Sequence, residues 1–117
     1  MPKDSASKDD QSLLDIADSI QLIMEYVPSW DELMRSIKDQ DAVIRRLIVI
    51  GEATKRLSMA LRNAHPDIPW KEMAGLRDVI VHDYDGIDFE RLKPVIEIKL
   101  PDVLRQIQPL LPTPPQN

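Results

Sequence analysis

The chain has 117 residues, of which 43% are hydrophobic and only 4% aromatic, and its formal net charge is −5. This length fits one domain, and an aliphatic composition with only three glycines favours helices over a β-sandwich. The absence of cysteine excludes disulfides and thiolate metal sites. No apolar run approaches the roughly 18 residues that a membrane span needs, so we expect a cytoplasmic protein that contacts no membrane.

Periodicity predicts two helices in the first third of the chain. Residues 1–7 are polar and are expected to be flexible. Apolar residues at helical spacing then predict a helix over about 8–26, which a proline ends. Ser29 and Glu32 match a capping box, in which each side chain bonds the other's free backbone amide. They predict the start of a short helix over about 29–36.

The longest periodic stretch, residues 41–61, predicts a single helix with a broad apolar stripe. Gly51 lies inside this helix, where glycine costs about 1 kcal/mol relative to alanine. Either a neighbouring helix approaches closely at this point, or the glycine is simply tolerated.

Prolines and caps mark the remaining elements. Pro69 is placed to begin a helix that ends at about His82, and Asp88 to cap a last helix that reaches about residue 108, with a kink or break near Pro101. Residues 109–117 contain four prolines and should be extended or disordered. The sequence therefore predicts an all-α, up-and-down bundle of four main helices plus a short one, in a domain over residues 8–108.

Charge is distributed unevenly along this bundle. Residues 1–34 contain two basic and eight acidic side chains, residues 35–62 seven and three, and residues 63–117 six and nine. The middle segment would form a positive stripe on an acidic protein. Such a stripe permits RNA binding, although an ordinary solvated helix face would have the same composition.

The two histidines of the chain lie in different settings. His65 is in a proline-flanked loop after a helix, where a structural role is expected. His82 ends the run Arg77-Asp-Val-Ile-Val-His82 and is followed by Asp83 and Tyr84, which gives five ionisable side chains in eight residues. No third metal ligand stands at a familiar spacing and no phosphate-binding glycine loop is present, so we expect no metal and no cofactor.

A metal-free ribonuclease fits this set of residues. RNA carries its own nucleophile, the 2′-hydroxyl, so the enzyme needs a base, an acid and a cation for the developing phosphorane charge. A histidine performs acid–base chemistry near neutral pH, and an arginine presents a bidentate fork to phosphate. The alternative is a purely structural role, in which Arg77 forms a surface ion pair with Asp83 or Glu90 and His82 caps the helix C-terminus.

Helix geometry constrains this site. At 100° per residue, positions 77 and 82 point about 140° apart on a continuous helix. The two side chains therefore cannot easily converge on one phosphate unless the helix ends near His82. One histidine also cannot act as base and acid at once. A two-fold dimer that brings two copies of the segment together would ease the convergence and would also supply a second histidine.

The Arg77-x4-His82-x-Tyr84 spacing and its surroundings resemble one family. The segments Asp41–Ser58, Ile68–Tyr84 and Gly86–Asp88 look like the HEPN-domain toxins of the minimal nucleotidyltransferase/HEPN toxin–antitoxin pairs, also called HepT-like ribonucleases. The resemblance extends over about residues 10–110.

The resemblance implies a homodimeric helical bundle with the two motifs facing each other across a cleft. It implies a type VII-like toxin that cleaves RNA without a metal and leaves a 2′,3′-cyclic phosphate. Its partner would be a nucleotidyltransferase antitoxin that adenylylates the motif tyrosine. Carried over to this chain, Arg77 would stabilise the transition state, His82 would be the acid–base group and Tyr84 the modified residue.

Further residues would assist these. Asp78 and Asp83 are candidates for orienting Arg77 or His82, and Arg45, Arg46 and Lys55 for holding RNA. The leading alternative function is a catalytically inactive helical module that binds and directs a partner nucleotidyltransferase. A third is an RNA- or nucleotide-binding protein without turnover.

Overall fold

A computed structural model describes residues 3–82 and 86–112, without the side chains of residues 3–7 and 81–82. Helices joined by short connections make up most of this part of the chain, which confirms the all-α bundle class. The helices are α1 Lys3–Tyr26, α2 Trp30–Met34, α3 Ile37–Arg56, α4 Met59–Ala64, α5 Trp70–His82, α6 Phe89–Pro94 and α7 Leu100–Ile107, with a π-helical turn Val95–Lys99 between α6 and α7 and a 3-10 turn Gln108–Leu110 at the end.

Helix α3 lies at the centre of the domain. It packs against α1 on one side and α5 on another, and α7 contacts α1. Aliphatic side chains from these helices form one core, as the low aromatic content predicts. The fully buried ones include Leu13, Ile16, Ile20 and Ile23 of α1, Val43, Leu47 and Ile50 of α3, Ile80 of α5 and Ile107 of α7.

The first helix is longer than its apolar pattern predicts. It begins at Lys3 rather than near residue 8. No glycine or proline lies between residues 3 and 26, so nothing in the chain stops the helix where the apolar stripe ends. The short α2 begins as predicted, because the Ser29 hydroxyl accepts the Glu32 backbone N–H at 3.1 Å.

The single helix predicted over 41–61 is wrong, since the structure divides it. Helix α3 ends at Arg56, Leu57 is extended (φ −67°, ψ 142°), and α4 begins at Met59. Ser58 caps α4, and Asp9 of α1 accepts both its backbone N–H (2.8 Å) and its hydroxyl (2.6 Å). Leu57 stays buried through the break, so the apolar periodicity continues although the helix does not.

The chain remains helical through Pro101, with a wider turn before it. The π turn Val95–Lys99 stands immediately before it, and the Leu100 N–H donates to the Val95 carbonyl. A proline ring clashes with the carbonyl four residues earlier in an ordinary α-helix, and a wider turn relieves that clash. The predicted irregularity near Pro101 is thus a π turn, after which α7 continues. Asp88 caps α6 as predicted, by accepting the Glu90 N–H at 3.0 Å.

The predicted extended tail over 109–117 needs a correction in its first part. Residues 109 and 110 belong to the 3-10 turn, and Leu110 and Leu111 pack partly buried against the core. Two leucines between prolines provide enough apolar surface to hold this segment on the bundle. Residues 113–117 lie outside the described residues. In the described part of the chain, no helix combines the length and apolarity needed to cross a membrane.

Candidate active site

Helix α5 presents the candidate catalytic arginine from its packed side. Trp70, Met73 and Ile80 are buried at helical spacing, and Arg77 occupies the same stripe. The backbone of Arg77 therefore faces the bundle, while its side chain is 43% exposed. Because the backbone faces the core, the base of the side chain is fixed. Because the guanidinium reaches solvent, its positive charge remains accessible.

Gly51 of α3 provides the space for this arrangement. A Cβ atom at Gly51 would lie 2.7 Å from the Arg77 backbone nitrogen and 2.9 Å from the Arg77 Cβ. Real Cβ atoms do not approach backbone so closely, so only glycine permits this spacing between the two helices. Of the two interpretations of Gly51, close approach of a neighbouring helix is the one that the structure confirms. The neighbour is the candidate catalytic residue itself.

One helical turn further along α3, Lys55 reaches the residue after the arginine. Its Nζ donates to both carboxylate oxygens of Asp78 at 3.0 Å, and Arg77 Nη1 lies 3.5 Å from Oδ1 of the same carboxylate. Hydrogen bonding from Lys55, aided by its charge and by that of Arg77, lowers the pKa of the Asp78 carboxyl below its ordinary value of 3.8. Asp78 is therefore ionised at neutral pH and has a cationic partner on each side.

The rest of the motif is described only in part. His82 is the last residue of α5 in the structure, so Arg77 and His82 belong to one continuous helix, about 7.5 Å apart along its axis. The side chain of His82 lies outside the described part of the chain, as do Asp83 and Tyr84 altogether. The proposed roles of these three residues therefore remain predictions.

The three candidate RNA-binding residues of α3 do not form one patch. Arg46 is half-buried and points toward α1, where its Nη1 is 3.5 Å from the Ser19 hydroxyl. Lys55 lies on the opposite side of α3, against Asp78 of α5. Arg45 is exposed, about 15 Å along the helix from Lys55. Only Lys55 stands beside Arg77, and the positive stripe that composition predicts is divided between two faces of the helix.

The contact between Lys55 and Asp78 was not predicted from the sequence, although a signal for it exists. Gly51 and Lys55 are four residues apart and thus share one face of α3. A glycine that marks close approach therefore also indicates which lysine faces the neighbouring helix. The identity of that neighbour depends on the tertiary structure.

A second feature beside the motif is an apolar groove between α5 and the α6–π segment. Its volume is about 370 Å³, and its lining is mainly aliphatic, with Glu72, Asp88 and Arg91 as its charged residues. The aliphatic side chains are Leu76, Val79, Ile80, Ile87, Leu92 and Val95. Val79, two residues after Arg77, is 51% exposed. Part of the aliphatic lining is therefore accessible to solvent next to the candidate site.

Comparison with known proteins identifies the family of this bundle. The family model described as ribonuclease HepT-like matches residues 16–110. A Methanocaldococcus jannaschii protein whose name describes it as a candidate RNase is 38% identical over 101 residues, covering 85% of this chain and 84% of the relative. A Thermococcus cleftensis protein named as a probable ribonuclease HepT is 37% identical over 100 residues, covering 84% and 91%.

A further relative, also named as a candidate RNase, comes from Caldanaerobacter subterraneus subsp. tengcongensis. It is 37% identical over 83 residues, covering 71% of this chain and 74% of the relative. No solved structure matches the chain with significance. The matched region contains the whole of α3 and α5 and hence Gly51, Lys55, Arg77 and His82. The chain belongs to the HepT-like ribonuclease family.

Proposed function

We propose that this protein is a metal-independent endoribonuclease with Arg77 and His82 as its catalytic residues. The observation that carries the proposal is the way Arg77 is held. Its backbone is locked against Gly51, while its guanidinium is 43% exposed and stands five residues before the histidine at which α5 ends. A surface arginine with a merely solvating role has no need of a neighbouring helix packed so closely that a Cβ atom at Gly51 would lie 2.7 Å from the arginine's backbone nitrogen.

The reaction needs only groups that these residues supply. A histidine base takes the proton from the 2′-hydroxyl, and the 2′-oxygen attacks the adjacent phosphorus. The bond from phosphorus to the 5′-oxygen breaks, and that oxygen leaves with a proton from a histidine acid. The products are a 2′,3′-cyclic phosphate and a 5′-hydroxyl. Arg77 stabilises the negative charge that accumulates on the phosphoryl oxygens in the transition state.

A two-fold dimer supports this chemistry better than a monomer. Helical spacing places position 82 between positions 78 and 79 on α5, whose side chains are 59% and 51% exposed. Two copies that meet through this side of α5 bring two histidines to one cleft, so that one acts as base and the other as acid. The exposed Val79 and the aliphatic groove beside it supply surface for such a contact.

Neutralisation would act on the same motif. We expect a partner nucleotidyltransferase to transfer AMP from ATP to the Tyr84 hydroxyl, with release of pyrophosphate. The added group carries bulk and negative charge two residues from His82, where a phosphodiester must enter. It would therefore exclude RNA by steric hindrance and by repulsion. The protein would thus act as the toxin of a toxin–antitoxin pair.

Cleavage of total RNA by purified protein in the presence of EDTA tests the proposal, with the chemistry of the new ends as readout. Wild type should cleave and leave cyclic phosphates, and His82→Ala should not. His65→Ala is the matched control, because it removes the only other histidine, which lies outside α5 at the end of α4. Equal loss in the two histidine variants would indicate a general effect on folding and would contradict the assignment of His82.

A wild-type protein that does not cleave RNA, with Tyr84 unmodified by mass spectrometry, would refute the ribonuclease proposal. The aliphatic groove beside α5 would then favour the interaction module, which binds a nucleotidyltransferase without turnover. Growth arrest on expression of this chain alone, relieved by the co-expressed partner, separates the two functions. Only the ribonuclease predicts it.

A further inference from the structure

The contacts of Lys55 indicate a more specific role than holding RNA by its charge. Its ammonium donates to both oxygens of Asp78 at 3.0 Å, whereas the guanidinium of Arg77 stands 3.5 Å from one of them. Asp78 thus lies between two cations and is bound more closely by the one on the neighbouring helix. Of the two cations bonded to Asp78, loss of the Lys55 ammonium would leave only Arg77.

The position of Asp78 next to Arg77 means that the competition between the two cations for this carboxylate affects RNA binding. Asp78 follows Arg77 directly, and its carboxylate lies 3.5 Å from the guanidinium. A carboxylate that pairs with the guanidinium occupies the same fork that a phosphodiester needs, and its charge repels the phosphodiester. The enzyme therefore benefits if another cation binds Asp78 and draws it toward α3.

We infer that Lys55 is a positioning residue for Arg77: it binds and neutralises Asp78 so that the arginine is available to the RNA phosphate. This inference rests on the proposed function. Lys55 acts through Asp78 and need not touch RNA itself.

Two further observations support the assignment. Lys55 lies one turn from Gly51, where α3 and α5 are in closest contact, so the ammonium starts from a backbone fixed relative to Asp78. The pair is also exposed, with 44% and 59% of the two side chains accessible. Exposed ion pairs add little to folding stability, so a stabilising role alone explains little of this arrangement.

The inference predicts that a second substitution, at Asp78, partly reverses the loss of activity caused by a first one at Lys55. Lys55→Gln should lower kcat/KM by about 5-fold, because Asp78 then turns to Arg77 with the energy of a good exposed ion pair. Adding Asp78→Asn to that variant should raise the rate again, since the amide competes poorly for the guanidinium. A second substitution that restores activity lost through the first is the result that this mechanism requires.

The neighbouring residue provides a matched control. Arg56→Gln removes one positive charge from the adjacent position of the same helix, but the partner of Arg56 is Asp15 of α1, at 3.4 Å. Its rate should stay close to wild type. Thermal melts of all variants show whether a rate change follows unfolding.

Two results would overturn the inference. If Lys55 binds RNA phosphate directly, the double variant will cleave no faster than Lys55→Gln, and the salt dependence of binding will fall by about one counterion. If Lys55 only stabilises the fold, melting temperature and rate will fall together in Lys55→Gln, and Asp78→Asn will restore neither.

The inference can fail separately from the proposed function. Wild type, Lys55→Gln, the double variant and Arg56→Gln are each made with His82→Ala as well, and their affinity for a short labelled RNA is measured by fluorescence anisotropy. Weaker binding in Lys55→Gln that Asp78→Asn reverses supports the positioning role even if no variant cleaves RNA. Cleavage by wild type without this reversal in rate or affinity retains the ribonuclease and refutes the role of Lys55.

Discussion

Replacing Gly51 with alanine should damage both the packing of α3 on α5 and the position of Arg77. The new methyl group would lie 2.7 Å from the Arg77 nitrogen, 2.9 Å from its Cβ and 3.3 Å from its Cα. None of these atoms is the far end of a flexible side chain that could rotate away. The two helices must instead separate by about 0.7 Å to restore an ordinary contact of about 3.4 Å.

The expected magnitude follows from two opposing terms. Alanine gains about 0.5–1 kcal/mol over glycine in a helix interior. Overpacking a buried contact costs about 1–3 kcal/mol, so the net change destabilises the fold by up to about 2.5 kcal/mol. Catalysis should suffer more, because a misplacement of about 1 Å can cost on the order of 100-fold in rate. We expect cleavage to fall by about 10-fold or more under conditions in which the variant remains folded.

Gly75 of α5 provides the control, because it too lies within a helix but a Cβ there meets nothing within 4 Å. Gly75→Ala should gain the helix propensity without the clash, so the two variants should differ in free energy of unfolding by about 1–3 kcal/mol. Urea unfolding and RNA cleavage, measured on both, give the two comparisons. A Gly51→Ala protein that is as stable as Gly75→Ala and cleaves like wild type would refute the close-approach argument.

Three further predictions concern other parts of the molecule. Because Lys55 lowers the pKa of Asp78, the ion pair stabilises the fold above the ordinary pKa of 3.8 and is lost as the pH falls through the lowered value. A ¹³C carboxyl titration should give a midpoint below 3.8 that rises in Lys55→Gln, and a midpoint above 3.8 in wild type would contradict this. Ser58→Ala should cost about 0.5–2 kcal/mol in urea unfolding, because it removes the cap of α4 and the hydroxyl bond to Asp9; an unchanged midpoint would show that the break after α3 does not depend on the cap. Tyr84→Phe should gain no AMP by mass spectrometry when incubated with the partner nucleotidyltransferase and ATP, and a modified Tyr84→Phe protein would place the modification elsewhere.

Local signals in the sequence predict much of the fold. The caps at Ser29 and Asp88 depend on bonds to residues two or three positions away, so their side-chain chemistry indicates the helix starts directly. The core stripes of α1 and α3 follow from spacing alone. The position of Gly51 inside a helix indicates either close approach of a neighbouring helix or simple tolerance, and only the structure decides between the two.

The features that the sequence does not reveal depend on contacts between distant segments. At the break after Leu57, Ser58 donates to Asp9, which lies 49 residues earlier, and the apolar pattern runs through the break unchanged. The ion pair between Lys55 and Asp78 joins residues 23 positions apart. The spacing from Gly51 indicates that Lys55 faces a neighbouring helix, but only the tertiary structure identifies Asp78 as its partner. The divided basic stripe has the same origin, since composition counts charges without assigning them to faces.

The most direct test of the proposed two-histidine cleft compares three forms of the proposed dimer in EDTA: wild type, His82→Ala, and a mixed dimer purified through different tags on its two chains. If both histidines serve one cleft as base and acid, the mixed dimer should cleave at far below half the wild-type rate, and only wild type should leave abundant cyclic phosphates. A mixed dimer that retains half the wild-type rate would show that each chain works alone. Cleavage by the His82→Ala dimer would contradict the assignment of His82 altogether.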